Sequence, residues 1–434
     1  MRLIFQQRRK TGQLDLEAVE MALRAALHRA GTAALSELLT FPAPHGEQRR
    51  RPCRCGEQAH YRELRSKSLL TALGAVKLTR PYYRCPHCPQ GQFPADRELD
   101  VENTTLSPGV RRMLASVGQQ APFDHGRRLI QLLAGLEVTT KAVERTTEAV
   151  GEEIAGREQK QIHRALQLDL PIAAGEPVPI LYIEIDATGV PVVKSETEGR
   201  QGKTEGQPAH TRDAKLGCVF TQTNWDEKWY ALRDSASTSY VAAIETAEEF
   251  GKRIYSEAFQ RGWSRAKTKV VLGDGAEWIW NLAHQYFPGA IEIVDLYHAR
   301  QRLWELARKL HPDQEAEQRR WTMIHEHLLD AGKIEELVTA LRSLQTASDE
   351  AAEQIRTKSA YFETHAKPMR YAKFRRQHLF VGSGVIEAGC KTVIGSRCKQ
   401  SGMFWTVRGA NAILALRCCQ QNDRFDDYWE SRSA

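Results

Sequence analysis

The sequence has no apolar run approaching the roughly 20 residues that a membrane-spanning helix needs. Its first ten residues, MRLIFQQRRK, lack the hydrophobic stretch of a secretory signal peptide. Internal repeats and low-complexity tracts are also missing. These absences argue against a membrane protein, a secreted protein and a repeat architecture, and they predict a cytoplasmic location.

What the chain does have is enough apolar sequence for proper cores and a mild excess of positive charge. Its 434 residues are 41% hydrophobic, which suffices for roughly two to four domains. The net charge of +7 indicates nucleic acid only weakly, whereas its distribution is more informative. The stretch 388–422 contains no acidic residue but five basic ones: Lys391, Arg397, Lys399, Arg408 and Arg417. Two further basic clusters, 49–54 and 370–376, favour contacts with phosphate, although any one cluster could be ordinary solvated surface.

Nine cysteines in a chain predicted to be cytoplasmic argue against a disulfide framework. Four of them form two close pairs around short strand candidates: Cys53 with Cys55, and Cys85 with Cys88. This pattern is typical of a zinc ribbon, in which four ligands hold one structural Zn²⁺ in a module too small for its own core. The first pair is C-x-C rather than C-x-x-C, so His60 or His87 could replace a cysteine, and four metal-free thiols are the other alternative. We predict a zinc-ribbon-like module at 47–103.

Helical periodicity flanks this module. Apolar residues recur at roughly helical spacing over 14–40, which predicts a helical segment at 1–46. A second helical stretch, 311–380, is mostly polar and is predicted to be an insertion in a later domain.

The region 104–169 is predicted to be a helix-turn-helix-like module that binds DNA. Two short helices are followed by a break at Gly135 and by a helix over 141–158. In this interpretation Lys141 and Arg145 lie on the exposed face of the recognition helix. A plain helical scaffold is the alternative.

An α/β pattern follows a proline-rich linker at 170–179. Strands are predicted at 181–186, 190–194, 217–223, 268–273 and 290–295. Helices are predicted at 239–262, 275–286 and 296–310, and a mobile loop at 195–215. Three strands able to pair antiparallel, then strand, helix, strand and helix, is the order expected of a ribonuclease-H-like domain. We predict this domain over 176–310 and 381–434.

Acidic residues at strand ends form the candidate catalytic set. Asp186 and Asp274 each end an apolar strand candidate, and this equivalent placement favours a shared site over two separate turn or cap residues. Three residues compete for the third position: Glu277, Asp295 and Glu387. Glu387 leads the acid-free basic stretch, whereas Asp295 belongs to a D-x-x-H motif with His298. That histidine could orient a phosphate or a carboxylate, or simply lie on a helix surface. Three such carboxylates could hold two divalent cations around a phosphate.

The motifs occur in a fixed order: YYRCPHC ending at Cys88, DATGVP from Asp186, GDGAEW around Asp274, DLYH to His298, GVIE to Glu387 and KQSGMFW to Trp405. In this order the chain resembles bacterial insertion-sequence transposases of the DDE class, in the ISKra-type group, which is similar to the mutator-like superfamily. The resemblance covers nearly the whole chain. It implies a ribonuclease-H-like core in which Asp186, Asp274 and Glu387 bind two Mg²⁺ or Mn²⁺.

The resemblance also implies what the chain acts on. In-line phosphoryl transfer would cut and join DNA at the terminal inverted repeats of the element and in target DNA, with a homo-oligomer assembled on the DNA near the nucleoid. Two alternatives stay open, a metal nuclease that cuts without joining and a catalytically inactive DNA-binding regulator.

The basic stretch after Glu387 is predicted to be an electrostatic track for DNA. Its contacts would come from Lys391, Arg397, Lys399 and Arg408. Trp405 could stack on an unpaired base or could instead be a core residue covering the sheet.

Overall fold

The computed structural model describes residues 9–10, 13–167, 176–202, 207–346 and 348–432. Most of the predicted linker at 170–179 lies outside these residues. So do the centre of the predicted loop at 195–215 and the start of the predicted segment 1–46. The chain divides into two compact units, Met1–Val150 with Asp426–Ala434, and Gly151–Phe425. Each combines helices with sheet, so the fold is mixed α/β.

The first unit begins with a small hairpin and one long helix. Its strands are β1 (Arg9–Lys10) and β2 (Gln13–Leu14), and its helix is α1 (Leu16–Leu38). The helix agrees with the prediction over 14–40. Asp15 caps it by accepting a hydrogen bond from the backbone N–H of Ala18.

A four-stranded antiparallel sheet follows in the first unit. Its strands, in sheet order, are β3 (Arg50–Pro52), β4 (Gln58–Thr71), β5 (Gly74–Arg84) and β6 (Gly91–Gln92). The short helix α2 (Pro94–Glu98) is tied to this sheet by Asp96, which is buried and receives ion pairs from Arg80 and Lys67. Two charges facing one buried carboxylate compensate for the cost of removing it from water.

Two further helices lie in the first unit, and a third begins there and continues beyond Val150 into the residues of the second unit. They are α3 (Pro108–Gln120), α4 (Phe123–Leu129), which continues through a π-helical turn to Ala134, and α5 (Thr140–Leu166). Gly135 adopts a left-handed φ of 67° at the end of the second helix, as the predicted break requires. The third helix runs on to Leu166 instead of ending near residue 158.

The second unit is built on a five-stranded mixed sheet in the order β11–β8–β7–β12–β13. The strands are β7 (Val178–Pro191), β8 (Thr211–Gln222), β11 (Ser239–Ala243), β12 (Ala266–Gly273) and β13 (Ile291–Val294). β7, β8 and β11 pair antiparallel, and β12 and β13 are parallel to β7. A short hairpin, β9 (Asn224–Trp225) with β10 (Ala231–Leu232), extends the chain between β8 and β11.

Three predictions for this sheet are wrong. The break predicted between strands 181–186 and 190–194 is absent, and one strand of 14 residues ends at Pro191, because β7 pairs with β8 without interruption from Ile180 to Pro191. The predicted loop at 195–215 ends early, since β8 begins at Thr211. Residues 239–243, predicted to be helical, form an edge strand. The side chain of Asn422 from the last long helix bonds the backbone N–H and C=O of Tyr240 on the open edge of that strand.

Helices surround the sheet of the second unit. They are α6 (Ala247–Gln260), α7 (Glu277–Tyr286), α8 (Leu296–Leu310), α9 (Glu315–Asp330), α10 (Ile334–Arg342), α11 (Asp349–Thr364) and α12 (Tyr371–Arg376). The last part of the chain adds α13 (Gly384–Gly389), a π-helical stretch over Cys390–Gly395, α14 (Ser396–Cys398), α15 (Val407–Gln421) and α16 (Phe425–Glu430). The stretch 311–380 is thus largely helical, as predicted. Among the described residues, no helix is both long and apolar enough to cross a membrane.

Candidate functional site

Three aspartates lie side by side at one edge of the five-stranded sheet. Glu184 of β7 pairs with Leu272 of β12, so Asp186 is level with Asp274, which follows β12 directly. Gly273 pairs with Val294, so Asp295 follows β13 at the same level, and its N–H donates to the carbonyl of Gly273 at 2.8 Å. Neighbouring strands are about 4.8 Å apart. The parallel pairing therefore sets three carboxylates in a row, although Asp186 lies within its strand rather than at the end.

The first two aspartates are half-buried and keep coordinating capacity. Asp186 accepts the N–H of Ala187 on Oδ1 and the thiol of Cys390 on Oδ2. Asp274 accepts the N–H of Ala276 on Oδ1, the local turn that such a residue commonly makes, and its Oδ2 has no hydrogen bond within the described part of the chain. Gly275 permits this turn, since its φ is 94° and a Cβ would lie 2.7 Å from the hydroxyl of Tyr361.

Asp295 is fully buried and its hydrogen-bonding capacity is used up. Oδ1 accepts from the N–H groups of Tyr297 and Ser383, and Oδ2 accepts from the N–H of His298. Nδ1 of His298 lies 2.5 Å from the same Oδ2. A carboxylate has about four acceptor positions, so Asp295 has none left for a cation. It caps α8 and orients His298 instead.

Glu387 reaches this row from α13. Ser383 donates its hydroxyl to Oε1 of Glu387 at 3.2 Å, and Oε2 has no hydrogen bond within the described residues. Cys390, about one helical turn further on, donates to Asp186 at 3.4 Å. The helical segment that carries Glu387 therefore lies against β7 next to Asp186.

The predicted carboxylates lie in this part of the second unit, but they do not all belong to one group of close ligand atoms. Within the described residues, one group of close oxygen and nitrogen ligands is present, Asp295, His298 and Glu387, whose ligand atoms all lie within 4.8 Å of one another. Asp186 and Asp274 are outside that group. Their charges nevertheless help to raise the pKa of His298, after the larger effect of the hydrogen bond to Asp295, while burial opposes the rise. The competing candidate Glu277 is exposed at the start of α7.

One buried acid near the site, Glu184, was not among the predicted residues, because its position fits the ordinary alternation of side chains along a strand. It is fully buried, and its Oε2 accepts the N–H of Ile386 at 2.8 Å. This bond ties the start of α13 to β7, one residue before Glu387. Burial raises the pKa of Glu184 to about 8, against the effect of that hydrogen bond, and the charge of Asp295 adds to the rise.

The raised pKa of Glu184 predicts a pH effect on stability. Its folded pKa of about 8 lies above the ordinary 4.5, so between these values the folded state keeps a proton that the unfolded state loses. Stability should therefore fall as pH rises through this window. Glu184→Gln keeps the acceptor for Ile386 and removes the titration, so its melting temperature relative to the native chain should rise by several degrees from pH 5 to pH 8. Thermal melts at both pH values test this, and a constant difference would contradict it.

The second group of close ligands is the four predicted cysteines of the first unit. Sγ of Cys53 lies 3.5 Å from Sγ of Cys88, Sγ of Cys55 lies 3.6 Å from Sγ of Cys85, and all four sulfurs are within 4.8 Å of one another. All four are free thiols. Zinc–sulfur bonds of about 2.3 Å place tetrahedral sulfurs about 3.8 Å apart. The cluster therefore fits one Zn²⁺.

The tight C-x-C spacing is accommodated by local backbone bonds. Gly56 turns with a φ of 88°, and the N–H of Cys53 donates to the carbonyl of Glu57 at 2.7 Å. A hydrogen bond from the backbone of Cys55 is the main cause that lowers the pKa of Cys53 to about 7, which favours a thiolate. Neither alternative histidine belongs to the group, and His87 is exposed near Glu57.

Of the six residues predicted to contact DNA, five are exposed and one, Arg397, is buried. Lys141, Arg145, Lys391 and Lys399 are exposed, as that role requires, and Lys141 forms an ion pair with Glu144. Lys399 also donates to the hydroxyl of Thr188, close to Asp186 on β7. Arg408 is exposed but forms an ion pair with Glu152.

Arg397 contradicts its predicted role. Its side chain is fully buried, with its guanidinium 4.8 Å from the ring centroid of Trp405 and one nitrogen 3.3 Å from the sulfur of Met403. A buried guanidinium cannot contact a DNA backbone, so this prediction is wrong. Trp405 is buried too and donates its ring N–H to the carbonyl of Cys398, which makes it a core residue rather than a stacking surface.

Comparison with known proteins adds a family but no activity. No curated protein matches the chain. Among solved structures, the chain is similar to the Drosophila P element transposase strand transfer complex at 8% identity, covering 78% of this chain and 83% of that chain with a TM-score of 0.24. A TM-score this low supports no argument. The model of the uncharacterised protein family UPF0236 matches residues 10–429. Because that match spans nearly the whole sequence, the chain belongs to the family UPF0236.

Proposed function

We propose that this chain is a DNA transposase of the DDE class, of the ISKra-type group, that cuts and joins DNA strands at the ends of an insertion sequence. The observation that carries the proposal is the placement of Asp186 and Asp274 on neighbouring parallel strands with Glu387 brought to the same edge by α13. Three antiparallel strands followed by two parallel ones agree with a ribonuclease-H-like core. The order of the sequence motifs supports the same assignment.

The oxygen donors at this edge suit Mg²⁺ or Mn²⁺. Asp186, Asp274 and Glu387 would hold two such cations, whereas Asp295 has no acceptor position left. When bound, divalent cations activate the attacking oxygen and neutralise charge on the leaving oxygen in phosphoryl transfer.

The protein groups around the carboxylates position them and supply positive charge. The Asp295–His298 pair fixes the histidine ring, and it leaves Nε2 as the ring nitrogen that Asp295 does not engage. The hydrogen bond to Asp295 is the main cause that raises the pKa of His298, and a protonated His298 would place a positive charge where a phosphate would bind. Lys399 adds a second positive charge near Thr188.

The remaining parts would recognise DNA. Lys141 and Arg145 would contact duplex DNA from the helix-turn-helix-like module, and the cysteine cluster would hold one structural Zn²⁺. Terminal inverted repeats and target DNA are the proposed substrates, bound by a homo-oligomer in the cytoplasm at the nucleoid.

The proposal is tested with purified protein and a labelled duplex that carries the inverted repeats flanking the coding sequence. With Mg²⁺ or Mn²⁺ we expect strand breaks at the repeat ends and, with added target duplex, joined products. Cleavage without joining would assign the chain to the metal nucleases. Binding without cleavage in either metal would favour the inactive regulator.

The exposed lysines of the tail give a separate prediction. Lys391→Gln and Lys399→Gln should each weaken duplex binding and reduce the slope of log K against log salt by about one. The matched control is Lys267→Gln, an exposed lysine at the far end of β12, which should change neither. Fluorescence anisotropy at several salt concentrations measures both quantities. Unchanged slopes in both tail variants would show that the tail is scaffold.

A further inference from the structure

Three aromatic rings form a largely exposed cluster on the second unit. Trp225 and Trp229 belong to the β9–β10 hairpin, and His378 follows α12. Their ring centroids are 5.2–5.4 Å apart and their planes differ by 21–36°. The two tryptophans remain 46% and 59% exposed. Large apolar rings are normally buried, so an exposed set of nearly parallel faces calls for a ligand.

The backbone is held in unfavourable conformations at this cluster. Trp229 has a φ of 64° and His378 a φ of 55°, the left-handed region that bulky residues rarely adopt. Nδ1 of His378 lies 2.8 Å from the carbonyl of Trp229, which joins the two strained positions. Such conformations cluster at binding sites, where the surrounding structure enforces them. Here they hold the rings on the surface.

A short segment, His378 to Ser383, joins the aromatic cluster to the row of carboxylates formed by Asp186, Asp274 and Asp295. The side chain of Gln222 donates to the carbonyl of His378 at 2.9 Å, which fixes that residue to the end of β8. Ser383 donates its N–H to Asp295 at 2.9 Å. The segment from His378 to Ser383 spans at most about 18 Å, which is the length of about five stacked nucleotides at about 3.4 Å each.

The charge around the rings suits a polyanion. Lys228 and Arg233 are exposed on the hairpin, and Lys373 and Arg376 are exposed on α12 just before His378. The same region carries three acids, Asp226, Glu227 and Asp234, so its cations outnumber its acids four to three. Asp226 accepts the N–H groups of Lys228 and Tyr230, and Asp234 accepts from Thr221 and Thr223, which fixes these two carboxylates within the protein. Aromatic faces beside cations are the features that bind single-stranded nucleic acid.

We propose that Trp225, Trp229 and His378 form a stacking platform for an unpaired base of the DNA strand whose phosphate lies at the carboxylates. This inference rests on the proposed function and adds a site to it. Stacking on ring faces is tolerant of sequence, so the platform would hold a base displaced from the duplex near the cut rather than read its identity. A base held there would keep the strand end unpaired within a few nucleotides of the reacting phosphate.

The test uses the full chain and fluorescein-labelled (dT)20 without added Mg²⁺ or Mn²⁺, so that no strand is cut and the zinc of the cysteine cluster stays bound. Trp225→Leu and Trp229→Leu should each weaken binding by about 5- to 100-fold, whereas Trp229→Phe should stay close to native. The salt slope should not change in any of them, because no charge is removed. Met323→Ala removes an exposed apolar side chain on α9 and should leave binding intact.

A spectroscopic measurement on the native chain does not depend on variants folding. Oligonucleotides with 2-aminopurine at successive positions should show quenched emission at one or two positions only, and Trp229→Leu should remove that quenching. Uniform emission at all positions would overturn the proposal. So would native affinity in both leucine variants whose circular dichroism is unchanged. A loss of affinity accompanied by a change in oligomeric state would assign the cluster to contacts between protein copies and would also overturn it.

The two proposals fail separately. Ring-dependent binding of (dT)20 without any metal-dependent cleavage would leave the platform standing and remove the transposase assignment. Cleavage with binding that is independent of the rings would remove the platform alone.

Discussion

Asp274→Asn is expected to abolish metal-dependent DNA cleavage, by about 1,000-fold or more, while DNA affinity stays within about twofold. The substitution preserves the size of the side chain and its Oδ1, which accepts the N–H of Ala276 at 2.9 Å. What it removes is the negative oxygen that would hold a divalent cation. Asp186→Asn and Glu387→Gln should have the same effect for the same reason. Binding should survive because the exposed lysines that are proposed to contact phosphate are unchanged.

The matched control is Glu277→Gln. Glu277 is an exposed acid close to Asp274 in sequence, at the start of α7, and lies in no close group of ligands among the described residues. It should cleave at the native rate. Cleavage gels with Mg²⁺ and anisotropy without added Mg²⁺ or Mn²⁺ separate catalysis from binding. A Glu387→Gln protein that cuts at a near-native rate would remove Glu387 from the site.

Asp295→Asn separates a positioning residue from a metal ligand. Asp295 accepts four hydrogen bonds and holds both the start of α8 and Ser383. An asparagine cannot accept on both sides, so this variant should lose thermal stability as well as activity. Asp274→Asn, by contrast, should melt close to the native temperature. Equal melting temperatures for Asp295→Asn and the native chain would contradict this distinction.

The positions of two acids of the candidate site were predictable because local sequence determines where apolar strands end. Asp274 and Asp295 each follow a short apolar run that becomes β12 or β13, so counting along the sequence finds them. The extent of β7 was not predictable. Thr188 and Gly189 look like a turn in isolation, and they stay in the strand only because β8, distant in sequence, pairs with them.

Burial explains the other failures. Arg397 has the sequence context of a surface charge, in a stretch rich in basic residues, and nothing local signals that it packs against Trp405. Glu184 alternates correctly along its strand, but the segment that covers it comes from residues near Ile386. Glu184 depends on a segment that is distant in sequence, and Arg397 depends on how the chain turns back at Met403 and Trp405. Hydrophobic periodicity carries no information on either contact.

The cysteine cluster gives the second large effect. Cys88→Ser should reduce bound zinc from one per chain to none and unfold the part of the sheet around the cluster, because the other half has its own apolar core of Leu69, Val76, Leu78 and Val101. In zinc-finger peptides the metal contributes about 10–16 kcal/mol at pH 7, which is as large as the whole stability of a typical domain, about 5–15 kcal/mol. The buried residues around the sulfurs are few, Cys53, Ala59, Tyr83 and Cys85, so apolar packing here cannot replace the metal.

The zinc prediction has a matched control and a pH signature. Cys419→Ala removes a buried thiol outside the cluster and should retain one zinc. Elemental analysis of both variants, with limited proteolysis between residues 47 and 103, measures the metal and the unfolding together. Because the ligands must lose protons to bind, zinc should be released as pH falls, and a chelator should reproduce the proteolysis pattern of Cys88→Ser in the native chain. Native protein that contains no zinc, yet resists the protease as well as it does after zinc is added, would show that the four thiols support the sheet without a metal.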